Sequence, residues 1–183
     1  MNFLILGTPS GGTRYAWSAL SKCGIDMGHE VMRSEGGVGF DMVEKCQEPY
    51  RAFHQTRDPI PTISSLLSFH ENKFIGEPWG NESRLHYMMR VWLGLHLEYE
   101  KVCEWRYAVE DLMNSDVIYE LESRTGWELN VDRMSEVKRT YGTRVKSEFY
   151  RKVDWDDLHN EDKTITGQIQ LKAEEYGYAA DRP

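Results

Sequence analysis

The sequence predicts a three-layer α/β sandwich built on a mostly parallel central sheet. The chain opens with an uninterrupted apolar run over residues 2–6 that ends at Gly7, which is typical of a strand buried on both faces. A glycine-rich loop and a helix follow this strand, and short strand patterns then alternate with helical patterns. Such alternation requires right-handed crossovers, which cover both faces of a parallel sheet with helices.

The region after the first strand is predicted as a helix and then a long loop. Residues 14–22 carry good helix formers with apolar side chains on one face. Residues 24–39 are rich in glycine and have little periodicity, so we expect a loop here, interrupted by a short extended piece at 30–32. Loops of this kind often carry function.

A second strand and a capped helix are predicted next. Residues 50–55 have strand character, and the strand is closed by Thr56-Arg57-Asp58-Pro59. Asp58 can cap a helix whose first position is Pro59 and which runs to about residue 69. The polar, turn-rich residues 70–80 have no regular period and are predicted to be a loop.

The remaining chain repeats the alternation. Apolar residues recur at three- and four-residue steps over 82–102, which predicts a long amphipathic helix, and 105–109 reads as a short strand. A helix is expected over 115–125, ending at Gly126, and a last helix over 162–176.

Length, charge and cysteine content limit the function classes. A chain of 183 residues, 40% of them hydrophobic, suits one domain spanning 1–183. Asp and Glu total 30 against 22 Lys and Arg, so the net charge is −8 and neither nucleic acid nor an anionic membrane is an expected partner. The absence of a long apolar run, of a basic leader and of a cysteine motif predicts a reduced, cytoplasmic protein without a disulfide or structural zinc.

The loop after the first strand is a candidate anion site. Glycines at 7, 11 and 12 allow backbone N–H groups to turn inward, and Thr13 adds a hydroxyl. The spacing from Gly7 to Gly12 matches the first part of a nucleotide-binding P-loop, but Thr13 and Arg14 stand where that motif has Lys and a magnesium-binding Ser or Thr. A magnesium-dependent nucleoside triphosphatase is therefore disfavoured, whereas a metal-free group-donor nucleotide fits. The alternative is a tight turn without a ligand.

A second candidate anion site follows the second predicted strand. Arg57 stands just before the N-terminus of a helix that carries Ser64 and Ser65, and an Arg with a nearby hydroxyl is a compact phosphate receptor. The alternative is an ordinary Asp58-Pro59 helix cap with Arg57 paired to a surface carboxylate.

Two anion sites at successive strand ends resemble those of the sulfotransferase family, whose fold is a P-loop NTPase-like sandwich and whose donor is 3′-phosphoadenosine 5′-phosphosulfate (PAPS). Residues 4–13 look like the family's 5′-phosphosulfate loop, and Arg57-Asp58-Pro59 with Ser65 eight residues after the Arg looks like its 3′-phosphate motif. Residues 24–30 resemble the segment after the first helix that supplies a catalytic carboxylate in some bacterial members. Segments 106–112, 154–158 and 175–178 are similar to weaker family landmarks. The likeness covers most of the chain and is closest to short bacterial or viral-type members.

The resemblance implies a metal-free transfer of a sulfuryl group from PAPS to a hydroxyl or amine of a small-molecule or glycan acceptor, with 3′-phosphoadenosine 5′-phosphate (PAP) as product. It implies that Arg57 and Ser65 bind the 3′-phosphate. The residues implied at the 5′ end of the donor are those of the loop and the start of the helix: Pro9, Ser10, Gly11, Gly12, Thr13 and Arg14. The N–H groups of Gly11, Gly12 and Thr13 are the expected phosphate donors. In the family a late basic segment also helps, so Arg139 or Arg144 could reach the 3′-phosphate, although a solvated face is the default.

Two departures from the family pattern bear on activity. Ser10 stands where the family has Lys or Arg directly after the Pro, which removes a side chain that contacts the transferring group. Arg14 is the candidate that supplies positive charge in its place. The chain is also short for the family, so the elements that enclose an acceptor are expected to be reduced.

Glu30 is the favoured catalytic base, because the matching segment of some bacterial members places a carboxylate there. His29 is the other candidate, since the ordinary pKa of histidine lies closer to neutrality. The alternative for this pair is a solvated loop dipeptide.

Two other functions fit parts of the same pattern. One is a catalytically degenerate module that binds the nucleotide without transfer, as Ser10 allows. The other is a P-loop small-molecule kinase, which Thr13-Arg14 disfavours. The spacing of the histidines predicts no metal site.

Overall fold

A computed structural model of the chain describes residues 1–46, 49–68, 81–137 and 151–178. Five strands in these ranges form one sheet in the order β2-β3-β1-β4-β5, and every neighbouring pair is parallel. The strands are β1 (Asn2–Leu6), β2 (Met27–His29), β3 (Gly36–Gly39), β4 (Tyr50–Thr56) and β5 (Trp105–Ala108). The predicted α/β sandwich with a parallel central sheet is confirmed.

The helices follow the capping residues that the sequence places around them. The helices are α1 (Thr13–Lys22), α2 (Met42–Lys45), α3 (Pro59–Leu67), α4 (Arg84–Val102), α5 (Ser115–Thr125), α6 (Val131–Ser135), α7 (Trp155–Glu161) and α8 (Lys163–Glu175). As predicted, the Asp58 side chain accepts from the N–H of Ile60 and caps α3, and α5 ends at Gly126 in the left-handed conformation. Among the described residues, no helix is both long enough and apolar enough to cross a bilayer.

The chain divides into two compact units. The first comprises Met1–Arg57 and Glu98–Tyr141, and the second comprises Asp58–Leu97 and Gly142–Pro183. The sheet belongs to the first unit. A single domain spanning 1–183 stays a prediction.

The first unit buries both faces of the sheet. On one face, Phe3 and Ile5 of β1 share a core with Phe53 of β4 and with apolar residues of α1, α5 and α6. On the other face, Met42 of α2 lies against Gly37, the register partner of Leu4. The hydrophobic effect on both faces thus explains why β1 reads as a continuous apolar run.

The second unit has its own apolar core. Trp92 of α4 is completely buried and lies beside His96 and Tyr176, with ring centroids 4.2 and 6.4 Å away. The side chain of Asp154 and that of Asp157 form a reciprocal capping box that begins α7. The helix α7 was not expected from the sequence.

The prediction of a loop over 24–39 is wrong, because this region contains β2 and β3. The expected extended piece at 30–32 is not a strand: Glu30 has a φ of 57° and lies in the turn between β2 and β3. Glycine allows β3 to form, since a Cβ at Gly36 would overlap the backbone of Phe3. The predicted loop at 70–80 lies outside the described residues.

The carboxyl ends of all five strands lie along one edge of the sheet, because the strands are parallel. The chain leaves β1 toward β2 and β3 on one side and later forms β4 on the other side of β1. Such a switch in strand order is where α/β sheets usually bind ligands.

Candidate functional site

The loop between β1 and α1 is a tight turn with unusual backbone conformations. Ser10 has a φ of 67° and Gly12, the N-cap of α1, has a φ of 88°. The N–H of Gly11 donates to the carbonyl of Thr8 at 2.7 Å, so it already has an acceptor inside the loop, contrary to the role expected for it. Among the described residues, no acceptor lies against the N–H of Gly12 or of Thr13. Both N–H groups lie at the start of α1, where free helix N–H groups can bind an anion.

The loop leaves no room for side chains at its glycines. A Cβ on Gly11 would lie 2.7 Å from the carbonyl oxygen of Thr8, and a Cβ on Gly12 would lie 2.8 Å from Cγ2 of Val109. Pro9 is buried in the same turn. The backbone is consequently packed closely enough for its shape to be fixed by its neighbours.

A buried hydroxyl lies in this loop. Thr8 is 1% exposed, and its Oγ1 has no hydrogen-bond partner among the described residues. Oγ1 is close to Gly11, where a Cβ would come within 2.8 Å of it. A buried hydroxyl without a partner costs free energy of folding, and this one is a candidate donor to a ligand at the loop.

Two buried polar side chains support the loop from the sheet. Gln55 of β4 donates through Nε2 to the carbonyl of Gly11 at 2.9 Å, and its Oε1 accepts from the hydroxyl of Tyr107 of β5 at 3.0 Å. Burial raises the pKa of Tyr107, so this hydroxyl stays protonated as a donor.

Arg57 connects the end of β4 to the same loop. Its Nη1 donates to the carbonyl of Ser10 at 2.5 Å, and its Nε lies 3.9 Å from Oε1 of Glu110. The side chain of Arg57 is 17% exposed, so its charge acts in a partly desolvated setting.

The candidate base residues lie beside the start of α1. The Oγ1 of Thr13 is 3.3 Å from Nε2 of His29, and the same Nε2 is 3.8 Å from Oε1 of Glu30. The structure thus places Thr13, His29 and Glu30 in one row along the carboxyl edge of the sheet.

Glu30 is held by two residues that follow β3 in the chain. The N–H of Phe40 donates to Oε2 of Glu30 at 3.4 Å, and Nζ of Lys45 donates to the backbone carbonyl of Glu30 at 2.8 Å. Its carboxylate also occupies the space over Gly39, where a Cβ would overlap Oε2. A residue other than glycine at position 39 would therefore displace the carboxylate.

The environment shifts the pKa values of the two candidate bases in opposite directions. Burial, together with the charge of Asp41, raises the pKa of Glu30 to about 7, although the Phe40 N–H opposes this. Burial and the charge of Arg14 lower the pKa of His29, so its imidazole is neutral at pH 7. Near neutral pH, Glu30 is therefore the stronger base of the two.

The other predicted site residues are more scattered. Arg14 lies on the exposed side of α1, and Ser65 is half-buried in α3 of the second unit. The pairing of Ser65 with Arg57 stays a prediction from their spacing. Arg139 and Arg144 lie outside the described residues. Among the described residues, no group of three or more His, Cys, Asp or Glu side chains could hold a metal ion.

Comparison with known proteins gives a structural relative. The chain is similar to the crystal structure of a mouse sulfotransferase, SULT7A1, complexed with PAP, with a TM-score of 0.52 and 10% sequence identity. The likeness concerns the fold. It covers 96% of this chain and 84% of the mouse chain. No protein-family model matches the sequence, and no curated protein matches it.

Sequence reasoning missed the residues that support the site from inside. Thr8, Gln55, Tyr107 and Glu110 were not expected to contribute. The sequence signal was weak, because Gln55 is one of three consecutive polar residues in this strand, with His54 and Thr56, and all three are buried. Its partners depend on strand register, in which Gln55 is directly opposite Tyr107.

Proposed function

We propose that the chain is a PAPS-dependent sulfotransferase that transfers a sulfuryl group to a hydroxyl or amine of a small-molecule or glycan acceptor. The observation that carries this proposal is the hydrogen bond from Arg57 to the carbonyl of Ser10, because it joins the two predicted anion receptors at one edge of the sheet. The sulfotransferase-like fold supports the same function.

The donor set fits the 5′ end of an adenine nucleotide that carries phosphate at both its 3′ and 5′ positions. The N–H groups of Gly12 and Thr13 and the positive end of the α1 dipole would hold the 5′-phosphate, and the hydroxyl of Thr8 would gain the partner that it lacks. Arg14 would add positive charge beside them. Arg57, with Ser65 as the resemblance implies, would hold the 3′-phosphate.

The chemistry that PAPS supplies is an activated sulfuryl group. Glu30 would take the proton of the acceptor hydroxyl or amine as the acceptor oxygen or nitrogen forms its bond to sulfur. The bond between sulfur and the 5′-phosphate oxygen would break in the same step, and PAP would leave with that electron pair. A pKa of about 7 suits Glu30 to this role, since the carboxylate is available at neutral pH and is still a useful base. His29, whose imidazole is neutral and lies 3.8 Å from Oε1 of Glu30, is the alternative base at the same position.

A binding module without transfer is the second candidate. The observation that favours it is Ser10, which supplies no cation where the family has one and whose carbonyl is already engaged by Arg57. In this alternative the same nucleotide binds at the same residues, and Arg14 supplies no catalytic charge.

A binding screen followed by a transfer assay tests the proposal. We expect PAP at 100 times its Kd to raise the unfolding free energy by about 2.7 kcal/mol, and ATP with Mg²⁺ to have no such effect. Stabilisation by Mg-ATP alone would instead indicate a kinase. Sulfuryl transfer from PAPS to a panel of hydroxyl and amine compounds then separates the enzyme from the binding module, which would be stabilised by PAP but transfer nothing.

Arg57→Ala and Arg133→Ala are the matched variants for the screen. Both remove an arginine of the first unit, but Arg133 is exposed on α6, whereas Arg57 is bonded to the loop. Loss of the PAP effect in Arg57→Ala and its retention in Arg133→Ala would tie the binding to this edge of the sheet.

A further inference from the structure

Gln55 and Tyr107 are buried polar residues in the core beneath the loop. Gln55 is 0% exposed and Tyr107 is 4% exposed, and they are directly opposite each other on β4 and β5. Their side chains form a continuous chain of hydrogen bonds from the hydroxyl of Tyr107 to the carbonyl of Gly11. The proposed function gives these two residues no part in binding or transfer.

The chemistry of the amide fixes its orientation. The carbonyl of Gly11 can only accept, so the Nε2 group of Gln55 must face it. The Oε1 of Gln55 then faces Tyr107, whose hydroxyl donates to it. A flipped amide would place Oε1 against the carbonyl oxygen of Gly11, and neither atom can donate. The hydroxyl of Tyr107 therefore favours the orientation in which Nε2 faces Gly11.

The direction of the Gly11 carbonyl decides where the next N–H points. In a trans peptide the C=O and N–H groups point in opposite directions, and no peptide bond among the described residues is cis. Because Gln55 draws the Gly11 carbonyl into the interior, the Gly12 N–H is directed away from it, where the described residues offer it no acceptor.

We propose that Gln55, held by Tyr107, is a positioning residue that orients the Gly11–Gly12 peptide so that the Gly12 N–H can bind the 5′-phosphate of the nucleotide. This inference rests on the proposed function, because it assumes that the loop binds that phosphate. Neither residue touches the ligand. Their effect passes through the backbone of one peptide unit.

A positioning role and a purely structural role of this pair predict different effects on nucleotide binding. If the pair only satisfied buried polar groups, its loss would lower stability and weaken all nucleotides alike. If the pair orients the Gly12 N–H, its loss weakens only those nucleotides that carry a 5′-phosphate. Comparing PAP with adenosine 3′-phosphate, which lacks the 5′-phosphate, separates the two roles.

The experiment measures the Kd of both nucleotides by calorimetry for the wild-type full chain and four variants. Gln55→Leu removes the amide, Tyr107→Phe removes only the hydroxyl, and a double variant removes both. Thr166→Val is the control, because it removes a buried hydroxyl of α8 that donates to the backbone carbonyl of Asp162, the N-cap of that helix, at 2.7 Å and has no role in the loop.

We expect the Kd of PAP to rise about tenfold in Gln55→Leu and about threefold in Tyr107→Phe, while the Kd of adenosine 3′-phosphate changes less than about twofold. The double variant should be no weaker than Gln55→Leu alone, because both changes break the same connection. Thr166→Val should bind both nucleotides as the wild type does. If Gln55→Leu does not fold, the smaller change in Tyr107→Phe provides the same comparison.

Two results would overturn the inference alone. One is an equal loss of affinity for both nucleotides, and the other is unchanged PAP binding in folded variants. A wild-type chain that does not bind PAP would overturn the proposed function, and the inference would fall with it. The wild-type titration therefore tells the two failures apart.

Discussion

The guanidinium of Arg57 donates a hydrogen bond to the carbonyl of Ser10, which fastens the end of β4 to the loop after β1. Ser10 adopts a left-handed backbone, with a φ of 67°, that is rare for a residue with a side chain. The contact therefore supports the backbone of the loop as well as placing a cation beside it.

Substitution of Arg57 should weaken PAP binding more when the charge is removed together with the planar guanidinium than when the charge is kept. Arg57→Lys keeps the charge but not the planar fork, and we expect the Kd of PAP to rise about tenfold. Arg57→Ala removes both, and we expect a rise of about 100-fold, measured by calorimetry. Arg133→Ala should leave the Kd unchanged. Equal binding by wild type and Arg57→Ala would show that this arginine is not part of the nucleotide site.

Thr8→Val should separate stability from binding. The hydroxyl of Thr8 is buried without a partner among the described residues, so its replacement by a methyl should leave the free protein as stable or make it up to about 1 kcal/mol more stable. The same change should raise the Kd of PAP about tenfold if the hydroxyl donates to the nucleotide. Denaturant unfolding and calorimetry measure the two effects. A less stable variant with normal affinity would contradict this role.

Glu30→Gln should lower turnover without lowering donor affinity. The amide keeps the shape of the side chain but cannot accept a proton, so we expect kcat to fall by roughly 10² to 10⁴ while the Kd of PAP is nearly unchanged. The wild-type rate should rise with pH toward a plateau above about pH 7, because the carboxylate form is the base. Glu44→Gln, on the exposed side of α2, is the control. Turnover within a few-fold of wild type would exclude Glu30 as the base.

The same substitution should stabilise the fold at high pH. The pKa of Glu30 is about 7 in the folded state against an ordinary value of 4.5, so between these values the folded state holds more protons than the unfolded state. The free energy of unfolding of the wild type therefore falls as the pH rises from about 4.5 to 7. We expect Glu30→Gln to exceed the wild type by about 1 to 3 kcal/mol at pH 8 and by much less at pH 4.5. A constant difference across this range would argue against a raised pKa.

Gly39→Ala should disturb the base through sterics alone. A Cβ at this position overlaps the carboxylate of Glu30, so the side chain must move, and we expect kcat to fall at least about tenfold with little change in the Kd of PAP. Gly94→Ala is the matched control. Gly94 lies in α4, and a Cβ on it would meet nothing within 4 Å. The control should raise stability by about 0.5 to 1 kcal/mol and leave kcat unchanged. Unaltered turnover in Gly39→Ala would mean that the position of the Glu30 carboxylate is unimportant.

The sequence predicted those elements whose signals are local. Strand β1 follows from its apolar run, and α3 and α5 follow from Asp58 and Gly126, because each cap acts within a few residues. Strand β3 could not be predicted in this way. Its Gly-Gly-Val-Gly sequence has low strand propensity. Its glycines are in close contact with Phe3, Met42 and Glu30, which belong to other elements, so no local signal reveals the strand.

In the candidate site, as in the fold, the sequence predicted only the residues that have a local signal. The glycine loop and Arg57 are visible in the sequence because their spacing carries the signal. Gln55 was missed because its partners, Gly11 and Tyr107, are far away in the sequence. Thr8 was missed because the burial of its hydroxyl depends on the turn that the loop adopts. The N–H of Gly11 was assigned to the ligand for a related reason: its bond to Thr8 depends on the turn that the loop adopts.

The most direct measurement is a crystal structure of the full chain grown with PAP. We expect the 5′-phosphate to lie within hydrogen-bond distance of the Gly12 and Thr13 N–H groups and the 3′-phosphate to contact the guanidinium of Arg57. A nucleotide bound elsewhere, or bound at the loop with its 3′-phosphate turned away from Arg57, would contradict this expectation.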